Sequence, residues 1–128
     1  MLDVPMIQTR GFHNRAGGFD VRVRLPYYRG LWTSLIEGAT VSVDGERHAA
    51  DTVEWTIGDR DFTLADLTSS PDARWPVDVP ATLHVSRKEP LAIGLHDVEV
   101  ELRVRMSYIP EELQPTIWSE ERRLVITR

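Results

Sequence analysis

The 128-residue sequence contains no cysteine, which rules out disulfides, thiolate catalysis and any metal site ligated by cysteine. Lysine is nearly absent too: Lys88 stands alone against 14 arginines, as a GC-rich genome would give. The balance of charge is −5, with an isoelectric point near 5.3. No basic stripe is present that could displace counterions from a phosphate backbone, so nucleic acid is excluded as a partner. A polybasic membrane-surface segment is excluded for the same reason. No apolar run approaches the ~20 residues that span a bilayer. Residues Met1 to Arg10 lack the charged start and apolar stretch of a secretory leader. The only asparagine, Asn14, precedes Arg15 and Ala16 and so forms no glycosylation sequon. A cytoplasmic, bacterial-type protein is expected.

What is present is ordinary for a globular chain: 41% hydrophobic and 27% charged residues. The length fits one domain, residues 1–128, with a core that needs no staples. Period-2 alternation dominates. Phe19, Val21, Val23 and Leu25 fall on one face of a strand, with Asp20, Arg22 and Arg24 on the other. Pro26 ends it. Val98, Val100, Leu102, Val104 and Met106 alternate with Glu99, Glu101, Arg103 and Arg105. A helix would scatter these apolar residues around its circumference, whereas a strand collects them. If these two strands are neighbours, their outward rows form Arg–Glu pairs, each worth at most about 1 kcal/mol.

Shorter signals fill in the rest. Val41-Ser42-Val43 runs into Asp44-Gly45, a two-residue hairpin turn returning through Glu46 to Ala50. Thr52 to Ile57 and Ala81 to Val85 read as strands, and Leu124 to Thr127 as a closing one. Thr63 to Leu67 predicts a helical turn capped by Thr63, with Asp66 completing a capping box. The segments 69–80 and 109–115 read as irregular excursions. Seven or eight short strands with at most one helical turn predict an all-β, antiparallel β-sandwich.

Candidate chemistry is sparse. His13, His48, His84 and His96 form no His-x-His or His-x-x-x-His pair, and single surface or turn histidines are the expected outcome. There is no Gly-x-Ser-x-Gly elbow and no phosphate loop. Acidic pairs such as Asp59/Asp61 and Glu111-Glu112 read as solvated loop residues. No catalytic residue and no metal ligand is assigned. The aromatics are more informative. Tyr27, Tyr28, Arg29 and Trp32 follow a strand end, and Trp75, Tyr108 and Trp118 lie at or beside the excursions. Tyr, Trp and Arg are enriched where proteins meet partners and where sugars stack. These seven are therefore candidates for a partner interface or the fringe of a substrate pocket. The competing structural reading is that Trp32 and Tyr108 plug the sandwich ends.

At Arg24-Leu25-Pro26-Tyr27-Tyr28-Arg29-Gly30-Leu31-Trp32-Thr33-Ser34-Leu35, continuing to Val43-Asp44-Gly45, the chain resembles the small β subunits of bacterial C-glycoside deglycosidases. The likeness extends through Trp55-Thr56-Ile57-Gly58, Trp75-Pro76, Gly94-Leu95-His96-Asp97-Val98 and Ser107-Tyr108-Ile109-Pro110. The resemblance implies a non-catalytic β-sandwich subunit of a hetero-oligomeric carbon–carbon lyase, inactive alone and carrying no cofactor itself. It implies a larger TIM-barrel-like α subunit holding a divalent metal, usually manganese. That subunit cleaves the sugar–aglycone bond of an aromatic C-glycoside after the sugar's 3-hydroxyl has been oxidised to a ketone. The alternative reading is a free-standing carbohydrate-binding module. A third, a metalloenzyme on a β scaffold, would depend on His84 or His96.

Overall fold

The computed structural model describes residues 5–27, 29–106 and 109–127. Two antiparallel sheets face each other across one apolar core. The first sheet is built from β1 (His13–Arg15), β2 (Gly18–Val23), β9 (Ala81–Ser86), β6 (Val53–Ile57) and β7 (Arg60–Phe62), in that spatial order. The second is ordered β11 (Thr116–Ile126), β10 (Gly94–Val104), β4 (Ile36–Val43) and β5 (Glu46–His48). A two-stranded ribbon, β3 (Leu31–Trp32) with β8 (Arg74–Trp75), joins one end. The architecture is the expected antiparallel sandwich, with more strands than the sequence signals. β1, β3, β7 and β8 have two or three residues each, too few to carry a period.

The alternating rows form the core as anticipated. Phe19, Val21 and Val23 of β2 and Leu83 and Val85 of β9 face Val41 and Val43 of β4 and the Val98–Val104 row of β10, all buried. Fully burying each such side chain contributes about 1.5–3 kcal/mol. Gly18 marks the tightest backbone approach: a Cβ there would lie 1.8 Å from the Val85 carbonyl oxygen. The hairpin turn also forms as read, with φ of 51° at Asp44 and 86° at Gly45, as a two-residue turn with the right twist requires. The capping box is present too. Asp66 N–H donates to Thr63 Oγ1 (3.1 Å), and Thr63 N–H to Asp66 Oδ2 (3.0 Å). The helix it starts, α1 (Leu64–Ser69), buries Leu67.

Two expectations are corrected. β2 and β10 are not neighbours: they lie in opposite sheets, so Arg22 and Arg24 do not face Glu99 and Glu101. Charge pairing on the outside of the second sheet is instead local, as in Arg103 Nε to Glu101 Oε1 (3.0 Å) and Arg105 to Glu37 (3.2 Å). The closing strand begins at Thr116, eight residues before Leu124. Its inward row starts Thr116, Trp118, Glu120, Arg122, which carries no apolar period. Glu120 and Arg122 are tolerated there because the chain near the start covers them. Glu120 Oε2 accepts Met6 N–H (2.5 Å) and Ile7 N–H (2.9 Å), and Arg122 donates to the Ile7 carbonyl (2.8 Å).

Candidate subunit interface at one end of the sandwich

The chain leaves β2 through Leu25 and Pro26 and returns to the core at Leu31. Trp32 follows, then a 3-10 turn (Thr33–Leu35) that leads into β4. The Leu35 carbonyl accepts Arg105 N–H at 2.8 Å, so this turn lies against the exit of β10. From there a loop containing a second 3-10 turn (Glu111–Leu113) enters β11. Residues 26–27, 29–35 and 109–118 therefore sit at the same end of the sandwich.

At this end three large apolar residues are exposed. Trp32 is 43% accessible, Leu113 66% and Ile117 49%. The Arg74 guanidinium lies over the Trp32 ring, 4.8 Å from its centroid, within cation–π range. Tyr27 and Trp118, both half-buried, bring their ring centroids within 5.8 Å. A groove of about 830 Å³ runs beside them, lined by Pro5, Met6, Pro26, Trp118, Glu120 and Arg122. Exposed aromatics and arginine beside a groove are the composition of protein interfaces.

Of the seven residues singled out from sequence, Tyr27, Arg29, Trp32 and Trp118 lie on or beside this surface, Arg29 being exposed. Tyr28 and Tyr108 fall outside the described residues. Trp75 is a correction: it is 0% accessible, its Nε1–H donates to the Val79 carbonyl (2.8 Å), and it packs edge-on against Trp55 at 5.7 Å. A side chain with no surface has none to offer a partner. Leu113, Ile117 and Arg74 were not singled out. A lone leucine in an acidic loop carries no sign that it will be exposed.

The histidines are distributed, each beside a carboxylate. His96 Nδ1 is 2.6 Å from Asp44 Oδ2, and His48 Nε2 is 3.0 Å from Glu46 Oε2 without hydrogen-bond alignment. The densest polar network covers the outer face of the first sheet. Buried Asp20 meets His13 Nε2 (3.0 Å), His84 Nδ1 (2.7 Å) and Arg15 (3.4 Å). His84 Nε2 lies 2.7 Å from Thr56 Oγ1, which donates to Asp61 Oδ1 at 2.6 Å. An Asp–His–Thr chain has the outline of a nucleophilic triad, but the wiring differs. A hydroxyl carries one proton, and the Asp61 carboxylate only accepts, so the Thr56 proton points away from His84. The network keeps a buried carboxylate satisfied. It borders a cleft of about 450 Å³ lined in part by Arg15, Glu54, Thr56, Asp61, His84 and Ser86. Among the described residues no group of three or more His, Asp or Glu side chains is arranged to hold a metal ion, and no helix is long and apolar enough to cross a membrane.

The fold is thus a small antiparallel β-sandwich with exposed aromatic and aliphatic side chains at one end. The family model described as "C-glycoside deglycosidase beta subunit" matches residues 2–108. The chain belongs to that family. Named relatives agree. It is 33% identical over 119 residues to the C-glycoside deglycosidase beta subunit of Eubacterium cellulosolvens, covering 88% of this chain and 81% of that one. It is 35% identical over 99 residues to one from Arthrobacter globiformis, covering 74% and 72%. It is 32% identical over 103 residues to a "3'-dehydrocarminate deglycosidase beta subunit" from Microbacterium sp, covering 80% and 77%.

Proposed function

We propose that this chain is the non-catalytic small subunit of a hetero-oligomeric C-glycoside deglycosidase, docking through its aromatic end onto a larger subunit that performs the chemistry. The observation that carries the reading is the family match over residues 2–108. The partner is a TIM-barrel-like α subunit that holds a divalent metal, manganese by preference. The substrate is an aromatic C-glucoside already oxidised to the 3-ketone. The name of the Microbacterium relative, with its 3'-dehydro sugar, supports an oxidised substrate.

The reaction is a carbon–carbon elimination. A carbonyl at C3 acidifies the neighbouring C–H, a base removes that proton, and the aglycone carbon departs with the electrons of the broken bond. A proton added to the aglycone completes the balance. This chain's part is to support the larger subunit: Trp32, stacked on Arg74, together with Leu113 and Ile117, buries against it, and Trp118, packed beside Tyr27, lines the adjoining groove. The enzyme works in the cytoplasm as a lyase.

Co-expression with the larger subunit, size exclusion and an assay on a 3-keto C-glucoside test this. Co-elution with activity that neither chain has alone is expected. Turnover by this chain by itself, or full activity of the larger subunit without it, would overturn the reading.

A further inference from the structure

The second sheet ends in an edge that is unusually open. β11 pairs with β10 over eleven consecutive residues, Thr116 to Ile126, with no register shift. Among the described residues its other side has no strand neighbour, and none of its backbone groups bonds outside the β10 pairing. Stable monomers blunt such edges by shortening, bulging, covering or charging them, because a long regular edge is a template for another strand. The inward side chains do not cover it, since Glu120 and Arg122 are committed to the backbone of Met6 and Ile7. Beyond Ile117, which belongs to the aromatic end, the outward row is free to meet a newcomer: Ser119, Glu121, Arg123 and Val125, all exposed.

That row specifies its occupant. Glu121 sits directly opposite Glu99 of β10, a like-charge cross-strand pair, and no ion pair holds either carboxylate among the described residues. Two residues on, Arg123 reaches Asp97 through Nε only (3.0 Å), leaving guanidinium donors unused. We propose that β11 pairs antiparallel with the β11 of a second copy of this chain about a two-fold axis at Arg122, joining two four-stranded sheets into one continuous sheet. In this register Glu121 faces the second copy's Arg123, and the symmetry makes the pair twice. The incoming guanidinium relieves the Glu99–Glu121 repulsion, and the unpaired backbone groups are satisfied along the whole edge. A strand from a different chain would satisfy the backbone equally. The order acid-then-base about one centre makes the outward row complementary to itself; the two Arg122 side chains that meet at the axis lie on the inward row, each donating to its own Ile7 carbonyl.

The dimer does not rest on the lyase reading, and its failure would leave that reading intact. Sedimentation velocity of the full-length chain over a range of concentrations should show a species of twice 14.6 kDa. Arg123→Glu should raise the dimer dissociation constant about tenfold or more, since both cross-copy pairs become repulsive. The double variant Glu121→Arg/Arg123→Glu should return it to within about threefold of the wild type, because the swapped charges again face each other. Both variants lose the Asp97–Arg123 pair, the single variant Glu121→Arg reports the change made opposite Glu99 within one copy, and circular dichroism checks that all three fold. A chain that stays monomeric throughout would overturn the proposal. So would a double variant that dimerises as weakly as Arg123→Glu, which would assign the edge to a different chain.

Discussion

Replacing His96 by phenylalanine keeps a ring in the core beside Phe12, 6.1 Å away, but removes both ring nitrogens. His96 is 8% accessible and spans two acceptors, Asp44 Oδ2 and the Ala92 carbonyl, each at 2.6 Å. Both nitrogens donate only when the ring is protonated. Burial opposes that charge, but the Ala92 carbonyl, the Asp44 hydrogen bond and the Asp44 charge outweigh it and hold the imidazole above its ordinary 6.5. The hydrogen bond from His96, with the Asp97 N–H and the imidazolium's charge, in turn holds Asp44 below 3.8. A charge-assisted bond is worth about 1.5–3 kcal/mol. Asp44 is half exposed and water replaces part of its bond, so about 1–2 kcal/mol is the expected loss. With about 2.1 cal/mol/K of unfolding entropy per residue, 1 kcal/mol lowers Tm by about 4 °C, so H96F should melt about 4–8 °C lower.

The pH dependence fixes the cause. A histidine whose folded pKa is raised contributes fully below its unfolded value of 6.5, and the contribution fades as pH rises through the folded value. The lowered Asp44 contributes above 3.8 and is lost as pH falls through its folded value. The gap between wild type and H96F should therefore be widest between these limits. Thermal melts by circular dichroism at about pH 5.5 and about pH 8.5 should show the larger gap at the lower pH. A gap that is equal at both, or larger at the higher pH, would refute the reasoning.

Gly18→Ala should cost about 3 kcal/mol or more, because the added Cβ collides with the Val85 backbone rather than a side chain that can swing away; chemical denaturation would measure it. Trp75→Phe should destabilise more than Trp55→Phe by about 1 kcal/mol. The first leaves the Val79 carbonyl without its donor, whereas the Trp55 Nε1 is buried without a partner already and its loss relieves a cost. Trp32→Ala should shift the melting temperature of the isolated chain little, removing only an exposed cation–π contact of about 0.5–1 kcal/mol. It should weaken assembly with the larger subunit about tenfold or more, read by titration calorimetry; unchanged affinity would remove the aromatic end from the interface.

The strands that carry the core were legible because their period is long enough to distinguish strand from helix. Five alternating positions in β10 and four from Phe19 suffice, and the Asp44-Gly45 turn and the Thr63–Asp66 box are local chemistry that needs no tertiary context. The first half of β11 was not legible, since Glu120 and Arg122 are inward residues whose partners lie more than a hundred positions away. Relative placement of the strands was equally hidden, which is why the outward rows of β2 and β10 suggested pairs that the topology separates. For the site, the aromatics in the sequence drew attention to one end of the molecule, the end proposed above as the interface. It could not sort Trp75 from Trp32, because in the ribbon of Leu31-Trp32 and Arg74-Trp75 the one tryptophan pairs with buried Leu31 and the other with exposed Arg74, and that register is not written locally. Leu113 and Ile117 depend on the path of a loop, and no local pattern announces it.

Reconstitution from separately purified chains tests the central claim most directly. The larger subunit is held at fixed concentration, this chain is titrated in, and release of the aglycone from a 3-keto C-glucoside is followed. Activity should rise from a negligible level and saturate at a fixed ratio of the two chains. A larger subunit that is fully active before any of this chain is added would contradict the account.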